Sequence, residues 1–292
     1  MSDVVRAAAA KLNLTLAVVG RRIDGFHLLD SLVAFTDYGD TIEADEGDGL
    51  TLTTTGPFGA ALAVDPVENL VLRAARLLAD EGGVRPCAAL RLTKRLPIAS
   101  GIGGGSSDAA ATLQALAALW RLAPTPEDLA RLALKLGSDV PVCLAARTAR
   151  LEGIGEKIGP SPAVPAAPIV LVNPAIGLPT PEVFRTRRGG FSVGAGPQGV
   201  LTVSPADAAE LAAMLAEHGN DLTEAAIGLV PAIAEVLARL NAAPGRLLAR
   251  MSGSGATCFA LFATDAAANA AAAAITQARP GWWTIATRLK GA

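Results

Sequence analysis

A glycine-rich segment between a predicted strand and a predicted helix places the strongest constraint on the fold of this chain. Residues Leu96–Ala110 read LPIASGIGGGSSDAA and follow a predicted strand at Ala88–Lys94. An apolar helix carrying Leu113, Leu116 and Trp120 is predicted next. The first turn of a helix presents unpaired N–H groups and a partial positive charge, and glycine lets the backbone approach a ligand closely. The segment therefore predicts a phosphate-binding loop.

Other readings of this segment can be compared with its spacing. A flexible linker has a similar composition, but clustered glycines at a strand-to-helix junction favour phosphate binding. A Walker loop requires a lysine directly after the glycines, and none follows here. The Rossmann fingerprint requires a third glycine where Ser106 stands after Gly101 and Gly103. The HRD and DFG motifs of protein kinases are also missing from the sequence.

Hydrophobic alternation and turn residues predict a mixture of strands and helices. Predicted strands cover Leu14–Val19, Thr41–Ala44, Leu50–Thr54, Ala88–Lys94, Ala256–Ala263 and Trp283–Leu289. Predicted helices cover Asn69–Glu81, Ser107–Trp120, Pro126–Leu136, a segment capped by Ser204, Leu229–Leu240 and Ala266–Ala278. Strands and helices do not alternate strictly, so the fold class is predicted as α+β.

The chain length of 292 residues fits one large domain or two of ordinary size, at about 150 residues per domain. Four prolines within Pro160–Pro168 exclude a central strand or helix there and predict a linker or edge segment. We therefore predict an N-terminal domain over residues 1–155 and a C-terminal domain over residues 156–292. Arg187–Gly199 is a second glycine-rich stretch that we expect to be flexible.

Composition excludes several classes of protein. With 51% hydrophobic and 18% charged residues the chain can bury a full core, which excludes intrinsic disorder. The formal net charge is −2 and no basic run occurs, so nucleic-acid binding is not expected. Apolar runs such as Val140–Ala146 are too short to span a bilayer. The three cysteines form no CxxC pair, so the sequence supports neither a disulfide framework nor a zinc site. A soluble cytoplasmic enzyme is expected.

Four separated motifs carry a resemblance to a known family. Pro97–Ala110 resembles the phosphate-binding motif PxxxGLGSSAA of the GHMP kinase superfamily. The segments AKLNL at 10–14 and GRRIDGFH at 20–27 resemble the opening of one branch of that superfamily. Gly137–Pro141 resembles its GADVP motif, and Met251–Thr257 resembles its third motif.

The resemblance implies a two-domain GHMP kinase fold with the active site in the cleft between the domains. It implies ATP as phosphoryl donor, Mg²⁺ as cofactor, and the 2-hydroxyl of cytidine-diphosphate-linked methylerythritol as acceptor, in non-mevalonate isoprenoid synthesis. A monomer or a homodimer is expected, with no nucleic-acid or membrane partner. Two alternatives stay open: another GHMP kinase acting on mevalonate, homoserine or galactose, and a non-catalytic nucleotide- or RNA-binding module on the same fold.

The resemblance also assigns residue roles. Lys11 would stabilise charge on the transferred phosphoryl group, although a lone lysine at a strand edge is by default solvated. Asp139 would orient or deprotonate the acceptor hydroxyl, and its alternative is a helix cap. Residues assigned to the nucleotide are Asn69, Lys94, Pro97, Gly101, Gly103, Gly104, Gly105, Ser106 and Ser107, and Ser107 is also the assigned Mg²⁺ contact. Residues assigned to the acceptor are Asn13, Phe26, His27, Thr180 and Phe184, where Phe26 stands in place of the family's usual tyrosine.

Overall fold

A computed structural model describes residues 4–62, 69–196 and 199–291 of the chain. The strands are β1 (Val4–Asn13), β2 (Ala17–Arg21), β3 (His27–Asp45), β4 (Leu50–Thr55), β5 (Ala88–Thr93), β6 (Ala149–Gly153), β7 (Lys157–Gly159), β8 (Pro168–Asn173), β9 (Arg246–Met251), β10 (Cys258–Phe262) and β11 (Trp283–Arg288). The helices are α1 (Gly59–Leu62), α2 (Leu70–Gly82), α3 (Gly104–Leu119), α4 (Pro126–Leu136), α5 (Val140–Ala145), α6 (Thr180–Thr186), α7 (Ala208–Leu215), α8 (Thr223–Leu229), α9 (Ala232–Ala242) and α10 (Asp265–Ala278).

The chain divides into two compact units. Unit 1 comprises the residues up to Ala10 together with Gly39–Ile98 and Gly103–Ala146. Unit 2 comprises Lys11–Tyr38, Ala99–Ile102 and the residues from Arg147 onward. Strands β1 and β3 each contribute residues to both units. The predicted boundary near residue 155 stays a prediction.

Unit 1 combines a small mixed sheet with four packed helices. Strand β4 pairs in parallel with β5, and β5 pairs antiparallel with the end of β3. Helices α2, α3, α4 and α5 pack against one another, and α3 is apolar on nearly all sides. Because α3 is surrounded in this way, its amino terminus is held at a defined place in the unit.

Unit 2 is built on an antiparallel four-stranded sheet in the order β11–β8–β10–β9. Helices α9 and α10 pack on this sheet. Their apolar faces join β8 and β10 in a core that contains the fully buried Val170, Ile233 and Phe262. The first half of β3 pairs with β2 and β6 in the same unit, and β6 pairs with β7.

Several elements follow their predictions closely. Helix α4 has its predicted bounds, and Thr125 and Asp128 form the predicted capping box in front of it. The strands predicted at Leu50–Thr54 and Ala88–Lys94 are β4 and β5, each within one residue at its end. The chain from 160 to 167 contains no helix or strand, as its prolines predict. Of the stretch Arg187–Gly199, residues 197–198 lie outside the described residues, and the rest is irregular.

Several predictions of local structure were wrong at their boundaries; for example, the strand predicted at Thr41–Ala44 is the end of the longer β3. The strand predicted at Leu14–Val19 is interrupted, because the amide of Leu14 donates to Leu32 and that of Leu16 to Gly219 rather than to one continuous ladder. Asp207, not Ser204, caps α7. The helix predicted at Leu229–Leu240 is divided, since Pro231 lacks the N–H that a helix interior requires.

No helix in the described part of the chain combines the length and apolar character needed to cross a bilayer.

Candidate active site

The glycine segment ends in the amino terminus of a long buried helix. Helix α3 begins at Gly104, three residues earlier than predicted, and its N-cap Gly103 has a φ of +64°. The backbone amide of Ser107 donates to the Gly103 carbonyl at 2.9 Å, which is the first hydrogen bond of the helix. The amides of Gly104, Gly105 and Ser106 precede it and have no acceptor within the helix. Three adjacent N–H groups at the positive end of a 16-residue helix suit a phosphate group.

Gly101 lies in unit 2, where its backbone packs tightly against the turn after β9. Its φ is +74°, and a Cβ atom there would lie 2.6 Å from the carbonyl oxygens of Ser252 and Gly255. The Ser252 hydroxyl donates to the Gly101 carbonyl at 3.0 Å, and it accepts from the Asn13 amide at 3.0 Å. Glycine is therefore required here for close backbone approach as well as for its conformation.

The Ser107 hydroxyl has a hydrogen-bond partner within unit 1. Its side chain is buried, and its Oγ donates to the Ala9 carbonyl at 2.7 Å. Among residues 4–62, 69–196 and 199–291, no three His, Cys, Asp or Glu side chains come close enough together to hold a metal. The predicted contact of Ser107 with Mg²⁺ stays a prediction.

Lys94 lies in a buried cluster of charges in unit 1. Its Nζ donates to Asp40 Oδ2 at 2.5 Å and to Asp108 Oδ2 at 2.6 Å, and 3% of its side chain is exposed. Burial alone would lower the pKa of Lys94, but the two carboxylates outweigh it and raise that pKa. Burial raises the pKa of Asp108 to about 7, with Lys94 opposing and Asp40 adding to the shift. Sequence reasoning missed both acids, because Asp40 lies 54 residues from Lys94 and only the apolar surroundings of Asp108 mark it as unusual.

Lys11 and Asn13 occupy the end of β1. Both are buried, at 4% and 5% exposure, which corrects the expectation that Lys11 is solvated by default. Residues two apart on a strand share a face, so the ammonium and the amide lie on the same side of β1. The Lys11 amide donates to the Ile102 carbonyl at 3.0 Å, and Asn13 Nδ2 donates to Ser31 Oγ at 2.7 Å.

Asp139 directly precedes α5 in unit 1. Its backbone is helical, and within the described residues its side chain makes no capping hydrogen bond to that helix. The capping interpretation of Asp139 therefore lacks its expected contact. The carboxylate follows Gly137 and Ser138 and is flanked by the fully buried Val140. The Asp139 side chain is half-buried, and its role in proton transfer or hydroxyl orientation stays a prediction.

Two of the predicted acceptor residues form a ring stack in unit 2. The rings of His27 and Phe184 lie 5.1 Å apart at an interplanar angle of 24°. Burial lowers the pKa of His27, and the charges of Arg21 and Arg187 lower it further. The imidazole is therefore neutral at pH 7, with one donor and one acceptor nitrogen. Phe26, next to it at the β2–β3 turn, is 58% exposed.

The remaining predicted residues are placed as follows. Thr180 begins α6, and its hydroxyl lies 2.7 Å from the Ser254 hydroxyl. Asn69 caps α2, because its Oδ1 accepts from the Val71 amide at 2.9 Å. Pro97 is buried at the start of the glycine segment, whereas Gly105 is exposed in the first turn of α3. These assignments to ATP and acceptor stay predictions.

Comparison with known proteins connects this geometry to a family. The family model for the N-terminal domain of GHMP kinases matches residues 69–147, and the model for their C-terminal domain matches residues 191–280. A 4-diphosphocytidyl-2-C-methyl-D-erythritol kinase of Paramagnetospirillum magneticum is 54% identical over 97% of this chain and 97% of its own length. The chain belongs to that kinase family. A Rhodospirillum rubrum member of the same name is 51% identical over 99% of this chain and 93% of its own.

The solved structures agree with membership in this kinase family. A crystal structure of a 4-(cytidine 5'-diphospho)-2C-methyl-D-erythritol kinase matches with a TM-score of 0.79 and 34% identity, over 99% of this chain and 100% of that one. The homoserine kinase of Cytophaga hutchinsonii matches with a TM-score of 0.73 over 98% of this chain and 94% of its own, but only 18% of residues are identical. That likeness shows the fold alone. The predicted α+β GHMP kinase fold is confirmed.

Proposed function

We propose that the protein transfers the γ-phosphoryl group of ATP to the 2-hydroxyl of cytidine-diphosphate-linked methylerythritol. The observation that carries this proposal is identity above 50% over nearly the full length of two kinases named for that substrate. The His27–Phe184 stack supports it, because mevalonate, homoserine and galactose contain no flat base to read. The protein would act in the cytoplasm on a small molecule.

The proposed chemistry assigns one task to each group. The first-turn amides of α3 bind the phosphates of ATP, and the Lys11 ammonium stabilises negative charge on the transferred phosphoryl group. Asp139 accepts the proton of the 2-hydroxyl while that oxygen bonds to the γ-phosphorus. The bond from the γ-phosphorus to the bridging oxygen breaks, and ADP leaves. Phosphoryl transfer depends mainly on positioning and electrostatic stabilisation, so the α3 amides, Lys11 and Asp139 can together support the reaction. We propose that Mg²⁺ enters with the nucleotide, held mainly by its phosphates.

The neutral His27 side chain is proposed to read the cytosine edge. Cytosine presents an acceptor nitrogen beside an amino donor, and neutral imidazole can complement one of them while its ring stacks on Phe184. Uracil reverses the donor and acceptor at these positions. A buried polar group left without its partner costs about 1–3 kcal/mol, so kcat/KM should be lower for the uridine-linked substrate by roughly tenfold to a hundredfold.

The experiment compares kcat/KM for cytidine- and uridine-linked methylerythritol in wild type, His27→Ala and His218→Ala. His218 is the matched control, because it is the second of the two histidines and no site role is assigned to it. We expect His27→Ala to lose the preference for cytidine and His218→Ala to retain it. Equal kcat/KM for the two substrates in the wild-type protein would contradict the proposal.

A further inference from the structure

The cluster formed by Asp40, Lys94 and Asp108, here called the lysine clasp, lies wholly in unit 1. One ammonium group lies within 2.6 Å of two carboxylate oxygens, and all three side chains are at most 4% exposed. Taking three charged groups out of water is costly, and a single lysine compensates two acids only in part. The Oδ1 atom of Asp108 is buried and has no hydrogen-bond partner among the described residues. Because burying these charged groups costs free energy, general stability does not explain the cluster, which indicates a specific role.

The clasp joins the chain on both sides of the glycine segment. On the amino-terminal side, Asp40 Oδ1 accepts from the amides of Arg95 at 2.5 Å and Leu96 at 2.8 Å, directly before Pro97. On the carboxyl-terminal side, Asp108 belongs to α3, just after the turn whose amides are proposed to bind phosphate. The Lys94 ammonium connects the two acids, so it fixes both ends of residues 97–103 relative to each other.

The ammonium also supports the first residue of the helix. A Cβ atom on Gly104 would lie 3.0 Å from Lys94 Nζ, so the lysine packs directly beneath that backbone. Lys94 reaches this place with its side chain almost fully enclosed and with both acids as partners. The Lys94 ammonium is therefore placed to support the backbone at the start of α3 rather than to contact a ligand bound at that helix end.

Electrostatics alone does not account for the arrangement. Two acids around one lysine place an excess negative charge behind a helix end that is proposed to bind phosphates, and this charge weakens anion binding. The positioning of α3 by this cluster must therefore favour phosphate binding by more than the repulsion between the excess negative charge and the phosphate disfavours it.

We propose that Asp40, Lys94 and Asp108 are positioning residues that hold the amino terminus of α3 in its phosphate-binding arrangement, so that Lys94 acts on the nucleotide through the helix. This inference rests on the proposed function, since it assumes that α3 binds ATP. It replaces the expectation that Lys94 itself contacts the nucleotide.

The test compares Asp108→Leu with Asp108→Asn. Both variants remove the same negative charge and have similar size, but only asparagine keeps an oxygen that can accept from Lys94. The readout is the dissociation constant of ATP, measured by calorimetry without acceptor. Thermal midpoints and the KM of the acceptor are measured alongside. Should Asp108→Leu fail to fold, Asp108→Ala takes its place, because it also lacks the acceptor, favours helix and leaves room for water.

If the clasp positions α3, the leucine variant binds ATP roughly tenfold more weakly than the asparagine variant, as expected for loss of one charge-assisted hydrogen bond, while the acceptor KM is the same in both. If Lys94 instead contacts ATP directly, freeing it from Asp108 leaves the two variants equal or makes the leucine variant bind more tightly, and the proposal is overturned. Equal ATP affinity with different thermal midpoints also overturns it, because the cluster would then be structural only. Absence of ATP binding by the wild-type protein would instead refute the proposed function.

Discussion

Replacing Gly101 by alanine tests the close packing of the glycine segment in unit 2. At a φ of +74° an L-residue loses about 1–2 kcal/mol relative to glycine. The new methyl group would meet two carbonyl oxygens at 2.6 Å, and forced overpacking of this kind costs about 1–3 kcal/mol. Alanine also reduces the conformational entropy of the unfolded chain, which stabilises the folded state by about 0.4–1 kcal/mol. We therefore expect Gly101→Ala to lower the free energy of unfolding by roughly 1–4.5 kcal/mol.

The matched control is Gly105→Ala. Gly105 has an ordinary helical conformation, and its added methyl group would meet only Leu70 Cδ1 at 3.4 Å. Alanine in a helix is favoured over glycine by about 0.5–1 kcal/mol, so this variant should be as stable as wild type or more so. Urea titration followed by circular dichroism measures both free energies, with the slopes compared to wild type. A Gly101→Ala protein within about 0.5 kcal/mol of wild type would refute the packing argument, since distant surface changes cause shifts of that size.

Three further predictions concern titratable side chains. Asp139→Asn should lower kcat by roughly 10²–10⁴-fold if Asp139 is the general base, because the amide cannot accept the proton of the hydroxyl; near-normal turnover would refute that role. The raised pKa of Asp108 means that the folded state holds an extra proton between the usual pKa of 3.8 and about 7, so wild-type stability relative to Asp108→Asn should fall as the pH rises through this window and level off above it; a difference independent of pH would contradict the burial argument. Because the pKa of His27 is lowered from 6.5, the acceptor KM should rise on acidification with a midpoint below pH 6.5, and Arg21→Gln should move that midpoint upward; a wild-type midpoint at or above 6.5 would contradict the lowered pKa.

Features of the fold that depend on local sequence were predictable. The bounds of α4 follow from Thr125, Pro126 and Asp128, because a capping box and an N-terminal proline act within one helical turn. The glycine segment was recognisable for the same reason, and its phosphate-binding role stays a prediction. Its helix begins three residues earlier than predicted, because glycines Gly104 and Gly105 have poor helix propensity but are held in α3 by the buried residues that follow.

Features that depend on distant contacts were not predictable from one sequence. The partners of Lys94 lie 54 and 14 residues away, so no local pattern indicates that its ammonium is enclosed by two acids. The same holds for the interruption after β1, where the Leu14 amide donates to a carbonyl supplied by β3. The stack of His27 on Phe184 joins residues separated by most of the chain. The family resemblance assigned both residues to the acceptor, but their ring stacking is seen only in the structure.

The most direct test of the proposed function follows the phosphorus atoms themselves. The purified protein is incubated with ATP, magnesium and equal concentrations of cytidine-diphosphate-linked methylerythritol, mevalonate and homoserine, and the products are identified by ³¹P NMR. The account predicts one new phosphate monoester, on the 2-hydroxyl of the cytidine-linked acceptor, formed in equal amount with ADP. Phosphorylation of mevalonate or homoserine in its place, or of a different hydroxyl of the cytidine-linked acceptor, would contradict it.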